Sequence, residues 1–205
     1  SILDGMRPSL SLGIRRFPMR REIAPSDIAA TWRMMREVRS LNPDILHAHG
    51  AKGGAYARMI GTLLRASGSR VARIYTPHGG SLHYAAGSLK GRVYFAAERA
   101  LGWMTDAYIF VSQYEADAFA AKVGATGKPV TIARNGLQPD EFQPVVAEAD
   151  ARDFLFIGTM RDLKGPDVFI EALAAIASHS DAAPTAVMVG SGYDRTFLRK
   201  GYDAL

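Results

Sequence analysis

The sequence contains no cysteine, which excludes a disulfide framework and any thiolate metal site. It also lacks an uninterrupted apolar run of the roughly 18 to 20 residues that a membrane-crossing helix needs. No Gly-x-Gly-x-x-Gly occurs, so the dinucleotide-binding fingerprint of an oxidoreductase is missing, as is the acidic partner that follows it. Internal repeats and low-complexity tracts are absent too. The chain opens Ser1-Ile2-Leu3-Asp4-Gly5, without an initiator Met or the segments of a signal peptide. It closes on Tyr202 to Leu205 in what reads as mid-helix without a cap, so both ends are expected to be cuts. A cytoplasmic setting is expected.

What is present fits a globular chain. The 205 residues are 48% hydrophobic, enough for one domain or one domain and part of another. The net charge is +5, with no nucleic-acid partner expected. Arg15, Arg16, Arg20 and Arg21 crowd one short stretch, and Arg33, Arg36 and Arg39 follow on the next helix. These arginines form either a solvated face or a surface attracted to anionic lipid or a phosphorylated substrate.

Punctuation along the chain predicts alternating helices and strands. A helix begins at Ser26 or Asp27, carries Ile28, Trp32, Met35 and Val38 at helical spacing, and stops at Asn42-Pro43. A strand over 45–49 follows, then Gly50, Gly53 and Gly54 lead into a helix through Leu64 that ends near Ser67 to Ser69. The pattern continues with a strand over 71–75, a break at Thr76 to Gly80, a helix over 89–104, a strand over 107–111, a helix over 115–122 capped by Ser112, and a strand over 130–133. Alternation of this kind signals an α/β fold, a parallel sheet with helices on both faces. From Asn135 to Arg152 the pattern lapses into a linker. A βαβ unit follows: strand 154–157, turn 158–166, helix 167–177, strand 186–189. Two domains are therefore expected, 1–145 and the truncated start of another at 146–205.

Ligands of open parallel sheets bind outside the carboxyl ends of the strands, and the residues just after each strand are conspicuously polar. After the first strand come His49, Lys52 and Gly53. Their glycine-rich setting and helix start suit a phosphate or carboxylate, or else serve only tight strand-to-helix packing. After the second come His78, Gly79 and Gly80, where an imidazole can hydrogen-bond a sugar hydroxyl or a pyrophosphate oxygen. His47 and His49 share a strand face; His47 reads as a packed structural residue and His49 as the one nearer the mouth. In the second unit Arg161 and Lys164 precede a helix that starts at Gly165-Pro166. A guanidinium fork, an ammonium and a helix N-terminus together suit a diphosphate without a metal. Gly190 and Gly192 are a weaker signal of the same kind.

Taken in order, the segments DILHAHGAKGG (44–54), YTPHGG (75–80), Val111-Ser112, Asn135-Gly136-Leu137 with Phe142 and Pro144, FIGTMRDLKG (156–165) and VGSG (189–192) resemble glycosyltransferase family 4. These are retaining enzymes of the GT-B type, with two facing Rossmann-like domains, and they include many bacterial lipopolysaccharide, capsule and exopolysaccharide sugar transferases. The resemblance covers the chain from Asp44 onward. It implies a hexosyltransferase that moves a sugar from a UDP- or GDP-linked donor to a saccharide or lipid-linked acceptor, with no cofactor and no essential metal. It implies peripheral contact with the inner face of a membrane, and it leaves room for a homo-oligomer. His78 would lie near the donor sugar and pyrophosphate as the catalytic residue, with Arg161, Lys164 and Gly165 on the donor phosphates. Ser112 and Asn135 join His49, Lys52, Gly53, Gly79, Gly190 and Gly192 as cleft candidates. No Asp-x-Asp triplet is present; Glu115-Ala116-Asp117 and Glu148-Ala149-Asp150 come nearest, and both read as solvated charge.

Three departures qualify the match. The family's clamp arginine often directly follows the glycine after the strand, whereas here Thr159 holds that place and the cation comes at Arg161. The glycine-rich loop of the N-terminal domain and the paired glutamates near the end of the second domain are both missing, so an inactive fragment with weak donor binding is expected. A nucleotide-sugar epimerase of the same fold, and a structural or oligomerising module, are the alternatives.

Overall fold

The computed structural model describes residues 5–18, 26–180 and 182–192. Arg20, Arg21 and the expected mid-helix end at 202–205 lie outside them. The chain divides into two compact units, Ser1–Leu137 and Gln138–Leu205, and the division falls inside the expected linker, ahead of residue 145.

The first unit is built on α1 (Ser26–Leu41), β1 (Ile45–His49), α2 (Ala51–Ala66), β2 (Ala72–Thr76), α3 (Leu89–Gly102), β3 (Ala107–Phe110), α4 (Gln113–Lys122) and β4 (Val130–Ile132). Its four strands pair in parallel in the order β1-β2-β3-β4. Neighbouring parallel strands joined by right-handed crossovers put their connecting helices on the same face, here α2, α3 and α4. Burial follows that geometry. Ala48, Tyr75, Tyr108 and Phe110 are buried on the helix side, whereas Ile45, His47 and His49 of β1 are exposed on the other.

Two apolar clusters hold this unit. Tyr75, Leu82, Phe95, Tyr108, Phe110, Phe119 and Val123 form the first. In the second, Tyr56, Ile60, Leu64 and Val71 receive Met34, Met35 and Val38 from α1. Ile28 and Trp32 of α1 stay mostly exposed, at 69% and 60%, so the core-facing stripe of that helix is its methionine and valine side. Helix ends follow the side chains: Asn42 takes a left-handed φ of 45° before Pro43, and the Ser88 side chain accepts from the Gly91 N–H to start α3.

Between the clusters lies an ion pair that has no local sequence signal. Arg58 of α2 is fully buried and donates to the Glu98 carboxylate of α3 at 2.9 Å. Its Nε also donates to the Gly54 carbonyl at 2.9 Å, and its guanidinium lies 3.9 Å from the centre of the Tyr75 ring. The Tyr75 hydroxyl donates to the other Glu98 oxygen at 3.1 Å. Burial, together with that carboxylate, pushes the phenol well above its ordinary range. A second, more exposed network ties β2 to the start of β3. There Arg73 grips Asp106 with two side-chain nitrogens, at 3.0 and 2.8 Å, and Arg65 adds a third contact.

The second unit has β5 (Phe154–Ile157), α5 (Pro166–Ser178) and β6 (Ala186–Val189), with β5 and β6 parallel and in register from Phe154↔Ala186 to Ile157↔Val189. Among the described residues no helix is long and apolar enough to cross a membrane.

Candidate active site

The carboxyl ends of β1 and β2 bring three histidines together. His47 and His49 alternate onto the exposed face of β1, with ring centres 4.3 Å apart. His78 comes from the turn after β2, and its Nε2 lies 2.8 Å from Nδ1 of His49 with the rings stacked. His47 is thus an exposed member of the cluster, whereas the sequence suggested a packed structural role; its Nε2 meets the Thr76 hydroxyl at 2.9 Å. Burial, then the neighbouring His49 and His78, lower its pKa from the usual imidazole value.

The turn that carries His78 is held in an unusual shape. His78, Gly79 and Gly80 have φ of 52°, 75° and 35°, three successive left-handed residues. The second and third tolerate it because glycine has no Cβ, while His78 does so against its intrinsic preference. Buried Pro77 precedes the turn. The Gly79 N–H donates to the Glu115 carboxylate on the first turn of α4. The other Glu115 oxygen accepts the Val111 N–H at 2.9 Å, and the Glu115 N–H donates to the Ser112 hydroxyl at 3.1 Å. Glu115 is only 5% exposed, so the reading of Glu115 as solvated charge is overturned. Its neighbour Asp117 is exposed and pairs with Gln113. The signal that could have found Glu115 is the Ser-x-x-Glu spacing of a capping box, 112 to 115.

The other candidates of this unit divide by what they touch. Lys52, on the first turn of α2, lies 3.0 Å from the largely buried Asp27 of α1; it links two helices in addition to any role at the mouth. Gly53 has open space where a side chain would be, whereas a Cβ on Gly54 would come within 2.2 Å of the Tyr75 ring. Tight strand-to-helix packing therefore explains Gly54. Gly50, with φ of 70°, precedes the helix, and its N–H donates to the Thr76 carbonyl at 2.9 Å. Ser112 is the N-cap of α4, and Asn135 is exposed just beyond β4.

In the second unit, Gly165 adopts φ 64° and ψ 42° between a single 3-10 turn, Asp162–Lys164, and α5. Lys164 is exposed and Arg161 half-buried, and among the described residues neither pairs with a carboxylate. Pro166 opens the helix, a position that needs no N–H. Asp162 and Asp167 share the segment and balance its two cations in charge. Gly190 and Gly192 are explained by packing between strand-end loops. A Cβ on Gly190 would fall 1.7 Å from the Gly158 carbonyl oxygen, and one on Gly192 would fall 2.6 Å from that of Met160. The Met160 N–H donates to the Ser191 carbonyl at 3.1 Å. Among the described residues no cluster of His, Asp or Glu is arranged to hold a metal ion.

Comparison with known proteins bears on this arrangement. Residues 7–141 match the sequence profile of Glycosyltransferase Family 4. Comparison with curated proteins finds no match. Among solved structures, Anabaena Alr3699/HepE in complex with UDP and glucose superposes with a TM-score of 0.64 at 14% identity, over 89% of this chain and 50% of that one. A mutant of S. aureus TarM in complex with Fondaparinux, alpha-GlcNAc-glycerol and UDP gives 0.58 at 11% identity, over 85% and 34%. The apo form of the lipopolysaccharide outer core galactosyltransferase WaaB gives 0.53 at 15% identity, over 89% and 47%. The chain thus spans half or less of these structures, and the likeness establishes the α/β, GT-B type fold.

Proposed function

This chain belongs to glycosyltransferase family 4, and from that premise we propose that the protein transfers a hexose from a UDP- or GDP-linked donor to a saccharide or lipid-linked acceptor, with retention, in the synthesis of a cell-surface polysaccharide or lipopolysaccharide. The observation that carries the reading is the placement of polar loops at the carboxyl ends of parallel strands in each unit: His49 and His78 to Gly80 in the first, Arg161 to Gly165 in the second. In this reading the first unit serves the acceptor side and the second the donor side. His78 faces the donor sugar. Arg161, Lys164 and the N–H groups at the start of α5 take the diphosphate. As the bond from the anomeric carbon to the phosphate oxygen breaks and the acceptor hydroxyl bonds to that carbon, negative charge grows on the diphosphate, where fixed cations stabilise it most. The acceptor's proton leaves with the departing diphosphate.

Calorimetric titration of UDP and of GDP tests the donor side. Binding of one nucleotide to the full-length protein that Arg161→Ala with Lys164→Ala abolishes is the expected result, and no binding of either nucleotide to that protein rejects the assignment.

The peripheral membrane contact is best supported by α3. Leu89, Val93 and Trp103 recur along one side of it at 79%, 61% and 86% exposure, with Lys90, Arg92 and Arg99 exposed beside them. The helix's one acid, Glu98, is buried inward on Arg58. An apolar stripe with a tryptophan, flanked by cations alone, suits an anionic lipid surface. Co-sedimentation with phosphatidylglycerol vesicles should fall on Trp103→Ser and with added salt; binding unchanged by both removes this surface from the account. A homo-oligomer rests on the exposed apolar strand faces of the second unit, with Leu155 and Ile157 at 61% and 73%, and gel filtration decides it.

A further inference from the structure

We propose that Glu115 is the positioning residue of the His78 turn: its carboxylate holds the left-handed backbone of His78 to Gly80 and thereby keeps the His78 ring against His49. The geometry concerns the turn itself and stands apart from the transferase reading.

Two facts need a common explanation. One is a run of three positive-φ residues that includes a histidine, a backbone that persists only where its surroundings determine it. The other is a carboxylate 5% exposed whose partners are N–H groups and whose ion-pair partners are none among the described residues. Glu115 answers both, because its two oxygens are divided between two loops. One accepts the Gly79 N–H from the turn after β2, and the other accepts the Val111 N–H where β3 ends. The chain turns out of the sheet at these two neighbouring places. A charged acceptor bridging their amides locks one loop to the other more strongly than a neutral one, and the N-terminus of α4, capped by Ser112, stabilises its charge. From the far side, Gly79 offers its carbonyl to the Leu82 N–H at 2.7 Å, and Gly80 offers its own to His83 at 2.8 Å. The turn is thus held on both flanks, and His78 projects from its start.

The consequence concerns a proton. The contact at 2.8 Å between Nδ1 of His49 and Nε2 of His78 requires one nitrogen to donate and the other to accept, so it is lost when both rings are cationic. Among the described residues, the titratable groups facing His78 are His49 and His47 from β1 and, across Gly79, Glu115 from α4. Held in this geometry, the His49 and His78 rings are coupled through that hydrogen bond; released, neither ring has the other as a partner. A cap that served α4 only would leave that coupling untouched.

The test is histidine-ring NMR of the 205-residue chain, the five imidazoles being assigned by single substitution. In the native background, His49→Gln is expected to move the His78 ring-nitrogen signals, because it removes the bond between the two rings. In Glu115→Gln, which keeps the volume but offers one acceptor oxygen in place of two, the same His49→Gln change is expected to leave the His78 signals unmoved. Persistence of the coupling in folded Glu115→Gln overturns the proposal. Should that variant not fold, the native chain decides. The Gly79 and Val111 amides, both bonded to Glu115, are expected to exchange slowly, and a fast-exchanging Gly79 amide overturns the assignment equally. No nucleotide is used. Coupling without nucleotide binding would therefore reject the donor reading and leave Glu115 in its role, and nucleotide binding without coupling would do the reverse.

Discussion

The two units use similar β-α-β material to different effect. In the first, four strands and the helices on one side bury Tyr75, Tyr108 and Phe110 almost completely, together with a charged pair. Among the described residues of the second, two strands and one helix leave Leu155, Ile157, Val187 and Val189 between 41% and 73% exposed, with Met160 the large hydrophobic that is buried. Local pattern is equally clear in both. The difference is the number of layers available to cover a strand, since a sheet needs more than two strands and a packed neighbour to hold a stable core. Stability should therefore concentrate in residues 26–133, while the phosphate-binding candidates sit on the weaker scaffold.

The largest expected break in this contrast is Arg58→Ala. It leaves Glu98 and the Tyr75 hydroxyl buried without their cation and should cost about 3 to 5 kcal/mol in urea unfolding of the first unit. Leu155→Ala, on the exposed face of β5, should change stability by no more than about 0.5 kcal/mol. Equal losses from the two would erase the distinction.

A sharper cut uses adjacent glycines. Gly54→Ala drives a methyl into the Tyr75 ring, where the gap is 2.2 Å, and should destabilise by about 1 to 3 kcal/mol. Gly53→Ala meets open space in the same helix and should stabilise by up to about 1 kcal/mol. Paired thermal melts read both signs.

Much of this was legible beforehand. Strand and helix limits came within a few residues because Pro43, Pro77, Gly68 and the Ser112 cap punctuate the chain physically, by removing a donor, taking a left-handed turn or satisfying an end. Arg58 and Glu98 could not be read, because they lie 40 residues apart and only the packing of α2 on α3 brings them together. Glu115 was legible in part: its spacing from Ser112 signals a cap, yet nothing local reveals that its other oxygen reaches the turn after β2. The close approach of Gly190 and Gly192 to the loop at Gly158 and Met160 had no local signal, because sequence does not show which backbone a glycine lets come near.

A smaller effect concerns acid. The Arg73 guanidinium, with further hydrogen bonds from the Arg73 N–H and Arg65, holds the Asp106 carboxyl well below its usual 3.8. A depressed carboxylate pKa contributes stability that is complete above the unfolded value and lost as the pH falls below it toward the folded one. Asp106→Asn should therefore lower the melting temperature at neutral pH and flatten its decline below about pH 4. An unchanged acid profile would mean that the network contributes little. The smallest perturbation is none at all: in native-state hydrogen exchange the β2 and β3 amides should be protected far longer than those of β5 and β6.

The most direct test of the account is a backbone amide NMR titration with UDP and GDP. One nucleotide should shift the amides of 158–167, where Gly165 opens α5, and those shifts should disappear in Arg161→Ala with Lys164→Ala. Shifts that survive the double substitution, or nucleotide contacts confined to other parts of the chain, would contradict the placement of the donor diphosphate on this turn.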